Sequence, residues 1–208
     1  MVFVLSIAAF LTGCSYLVAM YYDHQKWKYL LKPGTMVWII LLAITHLPSS
    51  DPNGWWILIG LLFSIAGDIF LMLPHRFLHG LVAFFLAHLC YIISFPFQWK
   101  LAIALSTMIA LGLISFWFYR LLLPGVRKQG GQKLSLAVLM YIAVISTMLW
   151  KALLTGIPLL IAAAILFYLS DAILAWNRFV TTSTWGKYVV ISTYYTAQFL
   201  FALSLGVL

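Results

Sequence analysis

Eight apolar windows, each close to the length of a bilayer crossing, fill most of this 208-residue chain and limit what it can fold into. They cover residues 2–21, 33–48, 55–73, 78–96, 101–122, 134–151, 157–176 and 187–207, with short polar or Pro/Gly-containing stretches between them. A helix needs about 20 residues to cross roughly 30 Å of hydrocarbon. Backbone polar groups there must find internal partners, and the windows lack the alternation of barrel strands, so helices are expected. The windows predict an all-α membrane protein, residues 1–208 forming one polytopic domain with eight transmembrane helices. Only 8% of residues are charged, against about 25% in soluble domains.

The net charge of +8 would point to nucleic acid in a soluble protein. Here the basic residues sit in short loops between apolar windows, so the expected partner is the lipid bilayer and not nucleic acid. The odd-numbered loops hold Lys26, Lys28, Lys32, Arg76, Arg120, Arg127, Lys128, Lys133, Arg178 and Lys187; the even-numbered loops hold Lys100 and Lys151. Ten against two places the odd loops in the cytoplasm and both termini outside, as expected for a multi-pass protein of a bacterial inner membrane. The segment Gly125–Lys133 reads as the longest internal loop, a basic connector at the headgroups.

Cys14 and Cys90 both lie in apolar windows and suggest no disulfide framework. The sequence Leu11-Thr12-Gly13-Cys14 has the look of a lipoprotein box. Residues 1–10 carry no Lys or Arg and the apolar run continues past the cysteine, so a first span is expected. His75 and His79 are four apart at a window boundary, but with no third ligand they do not make a metal site; neither metal nor cofactor is expected. Tyr21, Tyr22, Trp55, Trp56 and Trp99 read as interfacial aromatics.

The chain has no glutamate, and two of its four aspartates, Asp68 and Asp171, lie deep in apolar windows. An aspartate at a helix centre costs about 2.5–3.5 kcal/mol on insertion scales and marks a functional site by default. At 1.5 Å per residue, Asp68 lies ~9 Å and Asp171 ~7–8 Å from the cytoplasmic boundary. His88 and Tyr91 fall at ~15–20 Å, Tyr194 and Tyr195 at ~10–12 Å and Gln198 at ~16 Å by the same rise. Lys32 opens the second window at headgroup level. Asp68 and Asp171 are 103 positions apart, and each is followed by an Arg-Phe pair, Arg76-Phe77 and Arg178-Phe179. Two sets of four spans would form a parallel 4+4 repeat.

These pieces resemble the YhhN-like lysoplasmalogenases, an integral membrane family. The resemblance is carried by Lys32-Pro33 with Thr35, Gly67-Asp68-Ile69-Phe70-Leu71-Met72-Leu73-Pro74, and Phe77 with Gly80-Leu81. It continues through Phe84-Phe85-Leu86-Ala87-His88-Leu89-Cys90-Tyr91, Ser170-Asp171, Arg178-Phe179, and Tyr194-Tyr195 with Gln198. It implies hydrolysis of the vinyl ether bond of a lysophospholipid, the lysoplasmalogen. The products would be a fatty aldehyde and glycerophosphoethanolamine or glycerophosphocholine, with Asp68 and Asp171 as the catalytic carboxylates.

That chemistry suits two carboxyl groups. A vinyl ether resists base and yields to acid: protonation of the alkene carbon gives an oxocarbenium ion, and water then adds. As in glycoside hydrolysis, one carboxyl donates a proton while the other stabilises the cation or activates water. Two close buried carboxyl groups can share one proton between them. The expectation favours Asp68 as donor, oriented by His88 or Tyr91, with Lys32, Arg76 and Arg178 near the phosphate. A proton-coupled transporter is the main alternative, since buried acids also relay protons. An intramembrane aspartyl protease fits less well, because Ile65-Ala66-Gly67-Asp68 lacks the first glycine of that family's Gly-x-Gly-Asp signature. A structural or sensing role would leave Asp-to-Asn changes silent.

Overall fold

The computed structural model describes residues 1–47, 52–96 and 101–206, and every regular element among them is helical. Trp99 and Lys100 lie outside the described residues. Seven helical elements follow in order: α1 Val2–Tyr21, α2 Gln25–His46, α3 Pro52–Met72, α4 Phe77–Ser94, α5 Leu101–Thr155, α6 Pro158–Phe179 and α7 Gly186–Ser204. Helices α1 to α6 are long and apolar enough to cross a membrane, α5 counting as one. Large exposed side chains such as Phe3, Phe10, Leu62, Leu113 and Trp117 form an apolar exterior that water does not tolerate on this scale but hydrocarbon does.

Two expectations from the sequence are corrected. Residues 125–133 are not a loop. Helix α5 runs through them and breaks only at Gly130 and Gly131, where Gly131 adopts a positive φ of 61°. The two arms then lie side by side: Ser115 and Ser146 share a hydroxyl hydrogen bond of 2.8 Å, and Trp150 Nε1 donates to the Ala104 carbonyl at 2.8 Å. Gly125, which reads as a breaker in sequence, serves a close helix contact. A Cβ there would stand 1.7 Å from the Phe179 carbonyl oxygen, so only glycine fits.

Helix α2 likewise begins at Gln25, eight residues before the window, with Pro33 in its interior. Proline removes one helical hydrogen bond and reads as a start signal, yet the turns before it stay helical. Tyr29 anchors them, its hydroxyl donating to the Met72 carbonyl at 3.0 Å. Lys32 therefore does not open a helix at headgroup level. It sits two turns inside α2 and is buried.

Close approach governs the packing of α3 on α4. A Cβ at Gly60 would stand 2.4 Å from the Tyr91 ring, and one at Gly67 would stand 2.6 Å from Phe84. Small residues let membrane helices approach this closely. Gly60, Ser64, Gly67 and Asp68 share one buried face, so the stripe that seats α4 also turns Asp68 inward. Helix α7 packs on α1, α2, α3 and α6. Its buried face carries Tyr194, Tyr195 and Gln198.

Candidate functional site

Two carboxylates line one cavity of about 280 Å³ enclosed by α1, α2, α3, α4, α6 and α7. Asp68 projects from α3 and Asp171 from α6; Lys32, Lys187, Asn177 and Tyr194 share the wall with them. A separate apolar pocket of about 60 Å³ lies between α4, α5 and α6, lined by Phe77, Phe118, Tyr141, Ile145 and Tyr168. Leu71, Phe84, Asp171 and Leu174 belong to both walls. Asp171 thus stands where a chamber carrying charged side chains meets one lined almost wholly by apolar ones.

The two aspartates have different company. Lys32 Nζ lies 2.9 Å from Asp68 Oδ1, with both side chains nearly withdrawn from the surface. The other oxygen, Oδ2, accepts a 2.8 Å hydrogen bond from the Tyr194 hydroxyl. Asp68 therefore has a cation on one oxygen and a phenol on the other. Asp171 Oδ2 accepts from the Tyr141 hydroxyl and lies 3.3 Å from His88 Nε2, which is itself 3.1 Å from the Tyr141 oxygen. Carboxylate, phenol and imidazole form a closed triangle drawn from α6, α5 and α4.

His88 and Tyr91 are thus not placed to orient Asp68. His88 partners Asp171, and Tyr91 donates to Gln198 Oε1 at 2.8 Å with Ser64 Oγ 3.4 Å away. Neither is hydrogen-bonded to Asp68 among the described residues. Depth along a helix places residues at one level but leaves their direction around the bundle open, and direction separates these pairs. Tyr91 stacks on Phe201 at 4.4 Å, and the Tyr195 hydroxyl donates to the Lys32 carbonyl at 3.4 Å. Both brace the site from behind. Two fully buried atoms, His88 Nδ1 and Gln198 Nε2, find no hydrogen-bond partner among the described residues.

Arg76 and Arg178 stand apart from the cavity. Arg76 is exposed and pairs with His79 at 3.2 Å. Arg178 lies 4.7 Å over the Phe77 ring and lines a different, polar recess with Lys128 and Gln129. Phe77 in turn packs edge-on against Phe179 at 5.9 Å. Cys14 lies midway along an unbroken α1.

A model described as the YhhN family matches residues 27–205, which include every residue of both aspartate clusters. The chain belongs to the YhhN family. It is 30% identical to lysoplasmalogenase TMEM86B of Rattus norvegicus over 203 residues, covering 95% of this chain and 82% of that protein. It is 32% identical to lysoplasmalogenase TMEM86A of Homo sapiens, covering 83% and 74%. A lysoplasmalogenase of Mycobacterium bovis is 30% identical, covering 86% and 72%. No solved structure matches the chain.

Three site residues of this YhhN-family chain escape sequence reasoning. Tyr141 is a lone tyrosine on the second arm of α5, and a tyrosine in an apolar run carries no signal of its own. Lys187 reads as a loop cation and Asn177 carries no signal in the sequence, yet both line the cavity that holds the carboxylates. A signal for Lys32 did exist: Lys32, Met36, Ile39 and Ala43 repeat at helical spacing and are all buried, which extends the core face of α2 back to the lysine.

Proposed function

We propose that this protein hydrolyses the vinyl ether bond of lysoplasmalogens, releasing a fatty aldehyde and a glycerophospho-ethanolamine or -choline. One observation carries the reading: two intramembrane aspartates face one cavity, and one of them borders an apolar pocket. The relatives named lysoplasmalogenase support the substrate class.

The partners of the two carboxyl groups suggest a division of labour opposite to the sequence expectation. Asp171 takes the role of acid, because its phenol and imidazole partners can both exchange protons and it adjoins the apolar pocket where the alkenyl chain would lie. It protonates the alkene carbon remote from oxygen, and the ether carbon becomes the oxocarbenium ion. Asp68, fixed by Lys32 and Tyr194, presents its charge to that cation. Water adds at the ether carbon and returns a proton to Asp171. In the hemiacetal collapse Asp68 accepts the hydroxyl proton while Asp171 protonates the departing glycerol oxygen, and the proton on Asp68 then passes through water to Asp171, which restores the starting state. The products are aldehyde and alcohol, and the net reactant besides lipid is one water.

The same proposal has the two arms of α5 and the other six helices crossing the bilayer as eight spans of a bacterial inner membrane, with both termini outside. The contact of Phe77 with Phe179, the aromatic members of the two Arg-Phe pairs, favours a parallel 4+4 relation between the halves. Purified protein, given a synthetic lysoplasmenylethanolamine, should release aldehyde, and Asp171→Asn and the charge-matched Lys32→Met/Asp68→Asn should each abolish release, with folding checked by the unfolding midpoint. Substrate flux without chemical change would instead support a transporter.

A further inference from the structure

The cavity contains a cation that the chemistry above does not use. Of the two lysines in its wall, Lys32 is committed to Asp68 at 2.9 Å. Lys187, on the first turn of α7, is exposed; its Nζ makes no ion pair with a carboxylate among the described residues, although the exposed Asp23 carboxylate is near enough to feel its charge. Its ammonium lies 5.1 Å from the Tyr188 ring.

Asn177 stands beside it, at the end of α6. Its Oδ1 accepts the Ser183 amide N–H at 3.2 Å, which fixes the amide plane. Its Nδ2 is pressed to the start of α7, where a Cβ on Gly186 would come within 2.3 Å. Nδ2 makes no hydrogen bond among the described residues, and Asn177 lines both this cavity and the neighbouring recess that holds Arg178. An exposed cation and an amide thus line the same chamber as the two carboxyl groups.

Pairing agrees. Lys32 is matched by Asp68, whereas Lys187 has no carboxylate within ion-pair distance among the described residues, so its charge is available to a phosphodiester. The arginines expected to meet the phosphate cannot: neither Arg76 nor Arg178 lines this chamber.

We propose that Lys187, assisted by Asn177 Nδ2, is the subsite for the phosphate of the glycerophospholipid headgroup. The subsite makes the enzyme select a phosphate-bearing lipid over a neutral glycerol ether. This inference rests on the lysophospholipid reading above, and its test is separate from turnover. Two saturated ethers that cannot be cleaved, 1-O-alkyl-glycerophosphoethanolamine and 1-O-alkylglycerol, are titrated into wild-type protein and variants in nanodiscs.

Lys187→Ala should weaken the phosphate-bearing ether about tenfold, the scale of one charge-assisted contact at a partly exposed site. It should leave the neutral ether unchanged, and Lys187→Arg should keep most of the phosphate affinity. Equal weakening of both ethers, or of neither, overturns the proposal, as does a wild-type protein that binds neither. If the phosphate preference is found but wild type releases no aldehyde from lysoplasmenylethanolamine, the catalytic reading fails and the phosphate subsite stands.

Discussion

Lys32 Nζ and Asp68 Oδ1 stand 2.9 Å apart inside the bundle, joining α2 to α3 where neither side chain meets solvent appreciably. This pairing explains how an apolar helix can carry an aspartate: the charge is matched before the surrounding hydrocarbon bears on it. A buried pair is not by itself a strong source of stability, because desolvation offsets most of the attraction. Removing one partner is another matter, since the remaining charge is left without compensation.

Lys32→Met should therefore destabilise the protein by about 3–5 kcal/mol, read as a lowered unfolding midpoint in detergent. The double variant Lys32→Met/Asp68→Asn should recover most of that loss, because a neutral amide needs no counter-ion. Single and double variants of equal stability would refute the pairing.

His88 and Tyr141 converge on the same oxygen of Asp171, so their contributions should not be independent. Tyr141→Phe and His88→Gln should each lower kcat for aldehyde release about 10²-fold, the lower end of what general acid–base groups contribute. Their double variant should fall well short of the product of the two losses, giving a coupling of about 0.5–3 kcal/mol in a double-mutant cycle. Strict additivity would mean that the triangle does not act as one unit.

Much of the helical layout was legible, because apolar length and spacing are imposed by hydrocarbon and do not depend on partners. The breaks were harder to read. Pro33 and Gly125 both carry residue types that end helices in isolation. Here the first lies inside α2, while the second is needed so that α5 can touch the Phe179 carbonyl. The same limit governs the site. Both aspartates stood out through their burial cost, whereas the pairings of Lys32 with Asp68 and of His88 with Asp171 depend on how helices are rotated, and no single window encodes that. Lys187 was hidden for a simpler reason: a lysine at a window edge looks the same whether it faces headgroups or a cavity.

Glycine positions separate packing from propensity. Gly60→Ala would drive a Cβ to 2.4 Å from the Tyr91 ring, and that ring is held by Phe201 at 4.4 Å. Overpacking of this kind should destabilise by about 1–3 kcal/mol. At Gly34, also in a helix, a Cβ meets nothing within 4 Å, so Gly34→Ala should be neutral or gain about 0.5–1 kcal/mol from the lower backbone entropy of alanine. Thermal unfolding of the two variants side by side checks the contrast, and a Gly60→Ala protein as stable as wild type would contradict the close α3–α4 contact.

The proposed orientation rests on where the basic residues collect, and accessible cysteines test it directly. Gln132 sits just past the break in α5 and is exposed, with Lys128 and Lys133 close by in sequence. Asn53 is exposed at the start of α3, on the face that the loop charges assign to the outside. In a background with Cys14 and Cys90 replaced by serine, a membrane-impermeant maleimide should label Asn53→Cys in intact cells. It should label Gln132→Cys only after the membrane is opened. The reverse pattern would invert the topology and put the Lys187 end of the cavity outside. Labelling of both positions in intact cells would mean that the two arms of α5 do not cross the bilayer as a pair.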